Sequence, residues 1–220
     1  VKEKEILNLS QLIYWLTLDT DTFFEQFKNH TREANSFTQR HVFVDMDAPI
    51  LYVAHIDTVL DLFAPKEIQI EDTAIRATGM DDRLGCYLAF RLNLLGLKGD
   101  VLICDHEEIG YSTAKYFKTN KKYNWVCELD RPTVTVATYG LDSPAFLNAL
   151  DKSEFCITKG TFSDISSLEL PNNPCMFNLG IGYYQPHSFY SHLDKALMYR
   201  NVMKYAQFYE KNKLTSFVQA

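Results

Sequence analysis

The residues best suited to chemistry are acids and histidines in short, separated groups. His55-Ile56-Asp57 is the first. In an extended segment residues i and i+2 point the same way, so Asp57 can approach the imidazole of His55. A carboxylate on one ring nitrogen fixes the tautomer that leaves the other nitrogen able to bind a metal. The same pair could equally be a surface contact. Next, Gly79-Met80-Asp81-Asp82-Arg83-Leu84-Gly85 precedes an apolar helical pattern. A helix N-cap needs one aspartate. Two adjacent aspartates repel each other, and a cation would absorb that charge. Asp105-His106-Glu107-Glu108-Ile109-Gly110 then follows the apolar run Val101-Leu102-Ile103-Cys104. So many acids directly after a buried run are costly in a dry place, and a solvated loop would relieve them. Facing a metal, the two glutamates could instead divide the work, one ligating and one taking a proton from water. Glu128-Leu129-Asp130 and Pro186-His187-Ser188 complete the series. His192 is a rival to His187, while His30, His41 and His106 read as ordinary surface or supporting histidines.

The order HxD, DD, EE, D, H resembles the zinc aminopeptidase/carboxypeptidase superfamily, which includes the M20, M28 and M42 metallopeptidase families. The matching segments are Ala54-His55-Ile56-Asp57-Thr58-Val59, Gly79 to Gly85, His106 to Gly110, Glu128-Leu129-Asp130-Arg131, Gly160-Thr161-Phe162-Ser163-Asp164 and Tyr183-Tyr184-Gln185-Pro186-His187-Ser188. Together they span the chain from about His41 to its last helix. The resemblance implies a site for two zinc ions, with cobalt or manganese as substitutes. Asp81 would bridge the two ions. His55 and Asp130 would complete one position, and Glu108 and His187 the other. Glu107 would be the general base and Asp57 the orienter of His55. Carboxylate and imidazole ligands without thiolate suit these metals.

The implied reaction is cleavage of an amide bond. Three readings follow: an aminopeptidase acting on short peptides, a deacylase of N-acyl amino acids or related small amides, and a metal-free member serving as a binding protein. Asp164 could hold a substrate ammonium or cap the helix after it. Arg83 and Arg131 could meet a substrate carboxylate or neutralise nearby acids. Tyr183 and Tyr184 could wall a pocket or donate to an oxyanion. Two departures from the family pattern stand out. The stretch from Asp130 to His187 is too short for a large inserted lid or dimerisation domain, so residues 1–220 are expected to form one catalytic domain with residues 1–35 as a helical segment packed on it. The family's acid three residues after the last histidine is replaced by Tyr190, with Asp194 farther on.

These groups need elements to carry them. His41 to Asp45, Ile50 to Ala54, Val101 to Cys104, Asn124 to Leu129, Thr133 to Tyr139 and Cys175 to Leu179 read as strands. Glu67 to Ile70 and Ala74 to Ala77 read as a hairpin. Helices are expected at Leu9 to Leu18 and Asp21 to Phe27, started by Ser10 or by Asp19 to Asp21, and at Arg83 to Leu95, ended by Gly96 and Gly99. Further helices are expected at Ser112 to Thr119, Asp142 to Leu150, Ser163 to Leu168 and Leu193 to Tyr209. Short buried strands alternating with helices predict an α/β fold, layered α/β/α around a mostly parallel sheet, as in the zinc exopeptidases. In such sheets functional groups gather at the carboxyl ends of strands. Here four apolar strands each run into a carboxylate or an imidazole.

Bulk properties narrow the partners. A net charge of −6 lacks the basic footprint that nucleic acid or an anionic membrane requires. The expected partner is a small peptide or an N-acyl amino acid; the sequence does not give the oligomeric state. No apolar run is long enough to span a membrane, and Val1 to Asn8 has no signal-like apolar stretch. The five cysteines are odd in number and form no CxxC pair, which predicts reduced thiols and a cytoplasmic protein.

Overall fold

In a computed structural model that describes residues 2–33, 39–60 and 67–220, the chain begins with α1 (Glu3–Ile6), α2 (Leu9–Thr17) and α3 (Thr20–Gln26). The strands β1 (Thr31–Glu33), β2 (Arg40–Val44) and β3 (Ile50–His55) follow, then the hairpin β4 (Gln69–Ile70) and β5 (Ala74–Arg76). After α4 (Met80–Leu94) come β6 (Asp100–Cys104), β7 (Trp125–Arg131), β8 (Thr135–Ala137), α5 (Pro144–Asp151) and β9 (Cys156–Thr158). The chain closes with β10 (Met176–Gly180), β11 (Tyr183–Tyr184), β12 (His192–Asp194) and α6 (Lys195–Asn212). The expected boundary of the N-terminal segment at residue 35 lies outside the described residues.

The main sheet has eight strands in the order β1-β2-β6-β3-β7-β10-β8-β9. Its four central strands, β6, β3, β7 and β10, run parallel. Their carboxyl ends therefore share one edge, and they deliver His55, the Asp105 to Glu108 loop, Asp130 and the Gly180 to His187 loop to it. A parallel centre must be buried on both faces, and alternation along each strand divides the core accordingly. Ile50, Tyr52, Ala54, Val101 and Ile103 face the cluster built with α2, α4, α5 and α6. Leu51, Val53, Leu102 and Val126 face Phe117, Ile165 and Leu168 on the other side. Trp15 of α2 stacks on Phe90 of α4 at 5.4 Å, which docks the N-terminal helices on the first face. A second sheet, β11-β12-β5-β4, ties the connection after His55 to the loop that carries His187.

Several elements differ from expectation. Asn8, not Ser10, caps α2 by accepting from the Gln11 amide at 3.1 Å. Asp19 caps α3 through the Thr22 amide at 2.8 Å, within the expected Asp19 to Asp21. The helices expected at Ser112 to Thr119 and Ser163 to Leu168 are single 3-10 turns, Thr113–Tyr116 and Asp164–Ser167. A helix this short is marginal unless packing holds it. Local bonds also compete with it, since Ser112 and Thr119 side chains take the amides of Ala114 and Lys121. The closing helix starts after Leu193, because His192–Asp194 is drawn into the second sheet and Asp194 caps α6 through Leu197. Among the described residues, no helix is long and apolar enough to cross a membrane.

Candidate metal centre

His55 ends the central strand and is fully buried. Its Nδ1 lies 3.0 Å from the carbonyl oxygen of Asp57 and 3.4 Å from that residue's Oδ1. A carbonyl only accepts, so Nδ1 carries the hydrogen and Nε2 turns its lone pair inward. Asp57 also accepts from the amides of Glu107 at 3.3 Å and Glu108 at 3.1 Å, locking the loop after β6 against His55. Around His55 Nε2 stand Asp130 Oδ1 at 3.4 Å, Asp81 Oδ1 at 3.5 Å and Glu107 Oε2 at 3.8 Å.

The paired aspartates divide their roles. Asp82 accepts from the His55 amide at 3.3 Å and the Gly85 amide at 3.0 Å, so it starts the regular part of α4. A side chain at Gly85 would collide with both Asp82 oxygens and the Leu129 carbonyl, so only glycine lets α4 approach β7 here. Asp81 is left to face the site. Its Oδ1 looks to His55, and its Oδ2 lies 3.0 Å from His187 Nε2. His187 Nε2 is also 2.9 Å from Glu108 Oε2. Asp81 thus stands between an imidazole–carboxylate pair on each side.

The donor set fits divalent cations. His55, Asp81 and Glu108 place one donor each within 4.8 Å of one another, as do His55, Asp82 and Asp130. In the second group Asp82 is already engaged by two amides, which makes Asp81 the better donor. His55 Nε2 and Glu108 Oε1 are buried without a hydrogen-bond partner, which a coordinated ion would remedy.

The electrostatics point the same way. Burial pushes Glu107 up to about 7, helped by Asp130, Asp81 and Asp57 and opposed by His55. Burial and Asp81 push Glu108 up to about 8. The bond to Asp81 and the charge of Glu108 raise His187 to about 9 against its burial. His55 is raised well above the usual imidazole range: burial opposes its charge, but the neighbouring carboxylates of Asp130, Asp57 and Asp81 outweigh burial. Burial would raise Asp81 as well, yet the imidazoles of His187 and His55 beside it hold it below the carboxylate range. This field favours any cation, proton or metal, at the centre.

The structure therefore brings together all of His55, Asp57, Asp81, Glu107, Glu108, Asp130 and His187. It moves the rival His192 away, stacked on Tyr184 at 5.6 Å with Nδ1 toward the Tyr190 carbonyl. Two expected substrate contacts are corrected. Asp164 is fully buried, receiving the Ser112 hydroxyl while its amide donates to Glu128 at 3.0 Å, so it neither faces a substrate ammonium nor caps a helix. Tyr183 is also buried and donates to the Asp130 carbonyl at 2.6 Å, so it braces Asp130 instead of walling a pocket. Tyr184 is half-buried. Arg83 is buried, and Arg131 donates to Thr135 and Thr158, so neither offers itself to a substrate carboxylate. His41 is not a surface histidine, as it is buried edge-on against Phe117. The residues beneath Asp130 and Asp164 whose contacts the sequence did not reveal are Asn178, Ser163 and, as a buried partner, Glu128. A lone asparagine inside the apolar run Cys175 to Leu179 was the available signal.

Neither protein-family models nor curated proteins match the chain by sequence. Solved structures do match by shape. The aminopeptidase PepT from Bacillus cereus aligns with a TM-score of 0.63 at 12% identity, over 96% of this chain and 99% of that one. An aminopeptidase from the archaeon Desulfurococcus kamchatkensis gives 0.63 at 12% identity over 97% and 95%. The Pyrococcus horikoshii TET1 peptidase, which can assemble into a tetrahedron or a large octahedral shell, gives 0.59 at 12% identity over 90% and 98%. At such identities the likeness concerns architecture, and the chain has the layered α/β fold of these aminopeptidases.

Proposed function

We propose that the chain is a co-catalytic two-zinc hydrolase of amide bonds, most simply an aminopeptidase acting on short peptides, with residues 1–220 forming one catalytic unit. The observation that carries this reading is Asp81, whose two oxygens face two separate imidazoles, each paired with a further carboxylate. His55, Asp81 and Asp130 would hold one ion, and Asp81, Glu108 and His187 the other. When bound, the ions supply Lewis-acid polarisation of the scissile carbonyl and acidify water.

The protein's own groups do the rest. Asp57 keeps the hydrogen of His55 on Nδ1 and holds the amides of Glu107 and Glu108, so the two glutamate side chains project from a fixed backbone. Glu107 takes the proton of the attacking water and returns it to the leaving amine. Choice of a peptide over an N-acyl amino acid is supported by the aminopeptidases that share the fold. A cytoplasmic location is supported by five free cysteines, four of them buried.

Turnover on aminoacyl and N-acyl amino acid substrates with zinc, cobalt or manganese, measured for two variants, tests this. Glu107→Gln preserves size and removes basicity, so it should retain both ions and lose at least about 10²-fold in kcat. Glu108→Gln should hold one ion weakly and recover part of its activity in excess zinc. Near-normal turnover of Glu107→Gln would remove the assigned base.

A further inference from the structure

Asp130 is gripped from one side by a residue that touches nothing else in the ligand set. Asn178 lies on β10, is 1% exposed, and faces the end of β7. Its Oδ1 accepts from the Asp130 amide at 3.1 Å. Its Nδ2 donates to Asp130 Oδ2 at 3.2 Å. The orientation of the amide is not arbitrary. The Asp130 N–H is a donor and demands the oxygen, which turns the NH2 toward the carboxylate. Nδ2 is further steadied by Ser163 Oγ at 3.0 Å and Tyr139 Oη at 3.3 Å. Asp130 thus has one oxygen, Oδ2, occupied by a buried amide, and one, Oδ1, 3.4 Å from His55 Nε2.

We infer that Asn178 is a positioning residue that restricts Asp130 to one-oxygen coordination and thereby sets both the affinity and the metal preference of the His55 side of the centre. The inference rests on the two-ion reading above. A carboxylate held by a single oxygen suits a low-coordinate ion such as zinc, whereas one free to chelate with both oxygens suits larger ions of higher coordination number. An outer partner of this kind is typically worth 10- to 100-fold in metal affinity.

The test is a competition titration of the apoprotein with zinc and, separately, manganese, with the thermal midpoint recorded for each variant. Wild type should bind two zinc ions. Asn178→Ala should weaken one of the two by about 10- to 100-fold and leave the other within a few-fold. Its manganese affinity should fall less than its zinc affinity, so the zinc-over-manganese preference narrows, a change that loose packing alone would not produce. Tyr139→Phe, which removes one flank of the same amide, should leave both affinities near wild type. Asn178→Ser keeps a polar atom in the strand but cannot reach Asp130, and it carries the same prediction if the alanine variant fails to fold. Two unchanged zinc affinities in a folded Asn178 variant, or an equal loss at both positions with an unaltered metal preference, would overturn the inference. A wild type that binds fewer than two zinc ions would instead overturn the reading beneath it.

Discussion

His55 and Asp130 stand on the central strands β3 and β7, whereas His187 stands on the loop between β11 and β12 with its side chain 52% exposed. The first pair is anchored by hydrogen bonds from Asp57 and Asn178 and enclosed by the core. The second pair, His187 and Glu108, depends on two connections, one held by Asp57 through the Glu108 amide and one by the small second sheet. Local opening is easier on loops with few buried contacts than on central strands. The two halves of the proposed centre are therefore unequal: one belongs to the rigid scaffold and the other sits on loops that can adjust.

The largest effect that could break this comparison comes from removing each imidazole in turn. His55→Ala should lose the scaffold-side ion, fall by at least about 10²-fold in turnover, and gain little from excess zinc, because the ring also fills a fully buried position. His187→Ala should lose only the loop-side ion, and excess zinc should restore part of its activity. Zinc-dependence curves for the two variants check this. Matching curves would mean that the halves are equivalent.

A smaller effect sharpens the contrast between two buried histidines. His41 is nearly as buried as His55, but it packs against Phe117 and neither ring nitrogen has a hydrogen-bond partner. Burial, with Arg32 nearby, lowers it from 6.5 to about 4, the opposite direction from His55. The difference lies in the neighbours: carboxylates surround His55, whereas the charge beside His41 is that of Arg32. The folded state keeps His41 neutral while the unfolded chain takes up a proton below about 6.5. Its contribution to stability is therefore complete above that pH and is lost as pH falls toward about 4. The loss is on the order of 3 kcal/mol at 1.36 kcal/mol per pH unit. His41→Phe should flatten the fall in denaturation midpoint across this window, as read from urea melts at stepped pH. An unchanged slope would assign the acid sensitivity to other groups.

The same contrast explains what could be read from the sequence. The clustering of His55, Glu107, Glu108 and Asp130 was legible because each follows an apolar strand, where a charged group costs free energy unless it has a partner. The parallel centre was legible for the same reason, as its strands are continuous apolar runs. The edge strands β1 and β9 and the pair β11 and β12 were not, since two or three residues carry no periodicity. Asp164 and Tyr183 were misplaced because burial on the inner side of a turn depends on neighbours far along the chain, here Ser112 and Glu128 for one and Asp130 for the other. The strand His192–Asp194 follows from pairing with β5, more than a hundred residues earlier.

Metal stoichiometry is the sharpest probe of Asp81 as the proposed bridge between two ions. Wild-type protein equilibrated with a small excess of zinc and freed of unbound metal should retain two ions per chain by elemental analysis. Asp81→Ala, with the same fold by circular dichroism, should retain neither at that concentration, because the lost carboxylate served both. A wild type that refuses zinc, cobalt and manganese alike, or an Asp81→Ala variant that still holds two ions, would contradict the account.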